Sequence, residues 1–306
     1  MKKETLGTLF AVCTAIFSGI AIPANKVFVV SIDPVVFTAL RSIIIGIIFL
    51  GLARWQSNKN TIKKKKKARF AVSWKYLAAI AAIGGAFAFL LFFTGLKLTT
   101  AGRAAFLHKT LPLYVAILAF LFLKEKITRK YSAAMLLMII GIVSIYATSV
   151  SPADLWMNPQ LGDILVISAT FLWAVENVIA RKAMVNGEKN FVVSFARMFF
   201  GGLILFGVVL LTGKIDAVLA LTNQQLLNIG ISTILLFAYV FFYYLSLKLI
   251  NVSKAASLLL LAPVVSLLLG VAFLGEPAPL TQLAGSVLIL IGAYLIVGLK
   301  SEQRAI

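Results

Sequence analysis

The acids and bases set inside otherwise apolar stretches are where this chain can do chemistry. Residues 171–182 read FLWAVENVIARK, so Trp173, Glu176 and Asn177 stand at i, i+3 and i+4 and share one helical face. A carboxylate beside an indole and an amide can hold an ammonium group by charge and by cation–π attraction. The same carboxylate can carry a coupling proton. The competing expectation is internal, with Glu176 paired to Arg197 or Arg181. A second polar group, His108 and Lys109 in AFLHKTLPLY, offers a cation for a carboxylate or phosphate and an imidazole to bond it. Lys109 can instead snorkel to the surface. Neighbours on a helix diverge by about 100°, so at most one of the two is expected to line a solute pathway.

Other candidates carry a structural alternative of equal or greater weight. Arg41 in ALRSIIIG and Arg197 in SFARMFFGG suit a scaffold role, bonding backbone carbonyls or a neighbouring helix end. Glu125 and Glu276 close their helices just before short turns, where a carboxylate caps the next helix or bonds across the turn. Tyr239 and Tyr243, four apart, line a cavity or pack. Asn25 faces the pathway or lies near a surface. Pro23, Pro112 and Pro263 each remove a backbone donor and bend a helix, either as hinges or as static kinks. One histidine and one cysteine, Cys13, exclude a His/Cys metal cluster and an intrachain disulfide. With no GxxxxGK[ST] loop either, no cofactor is expected and any transport must run on gradients.

The elements that must position these residues are membrane helices. The chain is 61% hydrophobic with a mean hydropathy of +1.01, yet carries a formal net charge of +19. Spanning hydrocarbon takes about 20 apolar residues, and ten runs qualify: 5–27, 34–54, 76–98, 101–123, 131–150, 162–182, 191–213, 225–248, 254–275 and 279–299. They lack the alternation of barrel strands. The first run, after Met-Lys-Lys, is too long for a signal core and is expected to be a retained helix. Most Lys and Arg fall in alternate loops, which places both termini in the cytoplasm of an inner-membrane protein. Arg181 and Lys254 count on that side, Lys26, Arg103 and Lys214 on the other. Lys63 to Lys67 form a solvated topology determinant in this scheme. They lack the aromatic interleaving and the surrounding domain of a nucleic-acid site.

The chain also repeats itself. LKLTTAGRAAFLHKTLP at 96–112 and LKLINVSKAASLLLLAP at 247–263 align with a shift of 151, which carries Arg103 to Lys254, Pro112 to Pro263 and Glu125 to Glu276. Upstream, Arg41 pairs with Arg197. Residues 1–150 and 151–306 are thus two five-helix repeats, and an odd number of crossings inverts the second. LKEKITRKYS keeps its lysines on the inside, and its counterpart LGEPAPLTQL has none on the outside.

These motifs, with FLKE and FLGE around Glu125 and Glu276, resemble the ten-helix, EamA-type branch of the drug/metabolite transporter superfamily. Ser18-Gly19 stands where the family often has Trp-Gly, while Trp173-Ala174 keeps the aromatic in the second half. The resemblance implies a secondary carrier in the lipid bilayer that binds a small molecule between its halves. With Glu176 and a Lys109/His108 cation offering a site for both charges, export of small polar or zwitterionic metabolites such as amino acids leads. A multidrug or organic-cation exporter is the alternative, a channel or intramembrane enzyme a remote one. Oligomeric state is left open.

Overall fold

A computed structural model describes residues 2–28, 31–63, 73–147 and 150–301; the side chains of Pro23, Lys26 and Lys63 to Lys67 lie outside what is described. Among the described residues there is no strand, and ten helices are long and apolar enough to cross a membrane. They are α1 (Lys3–Ala21), α2 (Pro34–Ser57), α3 (Trp74–Lys97), α4 (Gly102–Leu123), α5 (Arg129–Tyr146), α6 (Leu161–Val185), α7 (Asn190–Leu211), α8 (Asn223–Leu249), α9 (Val252–Phe273) and α10 (Leu280–Gly298). Each expected run corresponds to one helix.

Hydropathy did not show where these helices break. The α4 span is two segments, Ala101–His108 and Leu111–Leu123, joined by a turn at Lys109 and Thr110. The α9 span is likewise Val252–Leu258 and Ala262–Leu274, joined by a 3-10 turn at Leu259–Leu261. Pro112 and Pro263 sit in the first turn of the trailing segments, where no intrahelical donor is needed. They start new helices and do not kink continuous ones. Two further stretches, Ile80–Phe87 in α3 and Ala196–Phe200 in α7, are π-helical and pack against each other.

The principal cross-half packings are α1 on α8 and α9, α6 on α3 and α4, α2 on α7, and α5 on α10. Exchanging the halves maps this scheme onto itself. The α5–α10 seam depends on bare backbone: a Cβ on Gly285 would lie 2.5 Å from the Gly141 carbonyl, and one on Gly141 would lie 2.6 Å from that of Gly285. In lipid, helices associate by close packing of this kind. Large apolar side chains such as Leu211, Phe273 and Ile234 point outward, as a hydrocarbon environment requires.

Charge collects at the two ends. At the end where the chain starts and finishes, Lys254 donates to Glu4 at 2.7 Å and to the carbonyls of Leu299 and Val297 at 2.5 and 3.1 Å. Ser301 also bonds Glu4. At the far end Arg103 pairs with Asp163, which also accepts from Thr99 at 2.6 Å. There Lys214 donates to Asp33 at 2.7 Å. Arg103, Arg181 and Lys254, counted above as loop charges, are buried. Helices α4, α6 and α9 extend past their charged ends into the bundle, so these cations meet partners from neighbouring elements before they reach water.

Candidate functional site

The interior holds a chain of polar groups from α6, α7 and α8. Glu176 is fully buried; its Oε1 accepts a short hydrogen bond from the Tyr244 hydroxyl, and its Oε2 lies 3.8 Å from Arg197 Nε. Arg197 Nη1 donates to the Tyr244 oxygen at 3.5 Å. Of the two internal partners expected for Glu176, Arg197 is the one in place. Arg181 donates to the Leu247 carbonyl at the end of α8. Arg197 therefore takes the pairing role expected with Glu176, and not the scaffold role on a backbone carbonyl or a neighbouring helix end. The reason is local: the π-helical turn that contains it packs on the α3 π-helix at Gly85, beside Glu176. Such turns recur at functional sites.

Trp173 and Gly84 fit this acid into the bundle. The Trp173 indole donates to the Gly84 carbonyl at 3.1 Å, and any Cβ on Gly84 would overlap the Glu176 side chain. Asn177 is buried on the same face, beside Tyr243. Tyr239 and Tyr243 stack with centroids 5.8 Å apart. Glu176 Oε2 and Arg197 Nε have no hydrogen-bond partner among the described residues. Buried polar atoms are rarely left this way, because each orphan costs about 1–3 kcal/mol.

A crevice opens at the two helix breaks. It has a volume of about 20 Å³ and is lined by Ser18, His108, Lys109, Leu111, Pro112, Tyr239, Leu259 and Leu260. That volume admits a water molecule and no metabolite. His108 and Lys109 both face it, against the expectation that one must turn away. The helix ends at His108, so the 100° rule lapses at Lys109. The repeat-related Leu259 and Leu260 line the opposite wall from the corresponding break. His108 contacts Trp173 and Phe92, with centroids 5.0 and 5.6 Å away, and Thr170 Oγ1 at 3.5 Å. Trp173 thus links the crevice to Glu176, which lies one turn deeper and out of contact with it.

The remaining candidates lie elsewhere. Arg41 donates to Ser232 at 2.6 Å, and Ser232 donates to Asn25 at 2.6 Å. Arg41 also lies 3.9 Å over the Phe37 ring. Side chains on α2 and α8, and Asn25 beyond the end of α1, thus replace the expected carbonyl or helix end. Glu125 does not cap the helix that follows it, whose first turn Thr128 already serves. It crosses to the other half, accepting from the amides of Val252 and Ser253 at 2.9 and 3.2 Å and from the Ser253 hydroxyl at 2.5 Å. Glu276 is exposed and folds back on Gly270. Tyr244, Gly84, Thr170 and Ser18 were missed by sequence reasoning. Tyr244 adjoins a chosen tyrosine, but its face is set by α6, and nothing local marks the other three.

A bundle of ten apolar helices with charged side chains buried at its centre is a multi-pass membrane protein of the transporter class. A solved crystal structure superimposes with a TM-score of 0.72 over 95% of this chain and 96% of its own, at 17% identity, which is a likeness of fold. The profile of the EamA-like transporter family matches residues 5–147 and again residues 160–298. The chain belongs to that family, within the drug/metabolite transporter superfamily. Among its relatives is a protein of Salmonella typhimurium named a probable amino-acid metabolite efflux pump, 30% identical over 232 residues, 72% of this chain and 75% of the relative. Uncharacterized transporters of Bacillus subtilis and Methanothermobacter thermautotrophicus are 28% and 23% identical. The first alignment covers 80% of this chain and 81% of the relative, the second 96% and 87%.

Proposed function

We propose that this transporter is a gradient-driven exporter of small zwitterionic metabolites, amino acids foremost, working by alternating access in the inner membrane. The observation that carries the reading is the ion pair at the centre, whose facing atoms make no hydrogen bond. Glu176 Oε2 and Arg197 Nε face each other at 3.8 Å without a hydrogen bond. A zwitterion supplies both missing partners, an ammonium for the carboxylate and a carboxylate for the guanidinium. Lys109 in the crevice, a cation on the route inward, favours a substrate bearing a carboxylate over a lipophilic cation. The crevice is too small for a solute, so the halves must part to admit one, as inverted-repeat carriers do. The two matches of the family profile and the half-exchanging packing scheme support residues 1–150 and 151–306 as inverted repeats. The Lys/Arg distribution supports cytoplasmic termini. Glu176 is the group that would carry a coupling proton, exchanged against the substrate.

The test is efflux and counterflow of a radiolabelled amino-acid panel in proteoliposomes. Glu176→Gln is expected to cut transport at least tenfold while the protein stays folded by gel filtration and thermal melting. Transport at the parental rate in Glu176→Gln removes this acid from the mechanism.

A further inference from the structure

The turns after α4 and α9 share a backbone and differ in where their acid points. Each helix ends on a left-handed residue, Lys124 with φ 53° and Gly275 with φ 64°. The next amide then bonds the sixth residue back: Glu125 to the Ala119 carbonyl at 3.2 Å, Glu276 to the Gly270 carbonyl at 3.1 Å. From that common start Glu125 crosses to the leading segment of α9 and is buried there on three donors. Glu276 is exposed, its carboxylate has no hydrogen-bond partner among the described residues, and it lies back along its own helix at Gly270. The shift of 151 carries the amides of Val252 and Ser253 to those of Ala101 and Gly102, at the start of α4.

Packing repeats the inequality. The trailing segment of α4 packs on the leading segment of α9 at the end where the termini lie, while the leading segment of α4 and the trailing segment of α9 form no comparable seam. One end of the α4–α9 pair is closed and the other parted. In a molecule built of two related halves, the alternative state exchanges these roles.

We propose that Glu125 and Glu276 are alternating latches of the transport cycle, which rests on the alternating-access reading above. Glu125 holds the termini side shut in the state described here. When that side opens, Glu125 releases α9 and Glu276 takes the amides of Ala101 and Gly102, closing the far side. A carboxylate suits both positions, because a helix start offers free amides and a positive dipole end. Gly270 is the parking place. Its counterpart Ala119 carries a methyl, whereas a Cβ at 270 would collide with the Glu276 carboxylate. Only a side-chain end must yield to that methyl, so Gly270→Ala folds and drives Glu276 from its retracted position.

The experiment uses full-length protein in a Cys13→Ser background, with Ser18→Cys as reporter because Ser18 lines the crevice. Reaction with a membrane-impermeant maleimide added from the far side measures opening there. Gly270→Ala should slow labelling several-fold, and Gly270→Ala/Glu276→Ala should return it to the parental rate. Glu125→Gln, which weakens the termini-side latch, should also slow it. An unchanged rate in Gly270→Ala or Glu125→Gln, or a slow rate that survives removal of Glu276, overturns the latch. Counterflow of radiolabelled amino acids by the Cys13→Ser protein, which keeps Ser18, runs alongside. Its absence overturns the alternating-access reading, whereas intact counterflow with labelling blind to Gly270→Ala overturns the latch alone.

Discussion

Removing the guanidinium at position 197 tests whether the central acid and base act as one unit. Both side chains are at least nine-tenths buried, and their facing atoms are 3.8 Å apart. At an effective dielectric of about 20, that separation gives an attraction of about 4 kcal/mol. Arg197→Met strips the cation and leaves Glu176 with the Tyr244 hydroxyl as its partner. Breaking a buried pair from one side costs about 3–5 kcal/mol, since a charge stays behind uncompensated. Glu176→Gln strands the guanidinium in the same way. The double variant Glu176→Gln/Arg197→Met strands neither, and should recover about 3 kcal/mol relative to the sum of the singles. The assay is thermal unfolding of detergent-solubilised protein. For a chain of this size 1 kcal/mol moves the midpoint by about 2 °C, so each single variant should melt about 6–10 °C low and the double well above their sum. Additive losses, with a coupling under about 0.5 kcal/mol, would refute the claim that these residues are a coupled pair.

Three other outcomes follow from the packing and the ends. Gly285→Ala should cost about 1–3 kcal/mol, because the Gly141 carbonyl it strikes is backbone and cannot retreat; Gly207→Ala, which meets nothing within 4 Å, is the control and should melt at or above the parental temperature. Asp33 is partly buried, which pushes its pKa up, but the Lys214 ammonium and the amides of Val35 and Val36 prevail and hold it below the usual 3.8. Its ionised form therefore favours the folded state, so the stability gap between parent and Asp33→Asn should be full above about pH 5 and fade as pH falls through the depressed value. Melting curves of both proteins between about pH 2 and pH 7 check it, and a gap that persists in acid would contradict this assignment. Lys109→Gln should weaken competition by amino acids in the transport assay while sparing that by their decarboxylated amines, and equal losses for both classes would place Lys109 outside the pathway.

The linear chain determined the architecture at the level of helices, because a bilayer imposes a simple rule. About 20 apolar residues are needed per crossing, and that requirement is readable without knowing any neighbour. FLWAVENVIARK likewise carried its own geometry, since Trp173, Glu176 and Asn177 share a face through helical periodicity alone. What the tertiary structure decided was everything that depends on which helix lies beside which. The partner of Glu176 was a choice between Arg197 and Arg181 until α7 packed on α3 and α6. The joint placement of His108 and Lys109 required a helix break, and the proline that follows it is also compatible with a kink. Glu125 and Glu276 occupy related positions with the same local backbone, yet one is buried on the opposite half and the other is exposed. Local sequence fixes dihedral preference and burial tendency. A long-range partner is set by the relative position of two whole bundles, and a transporter must be able to change that position.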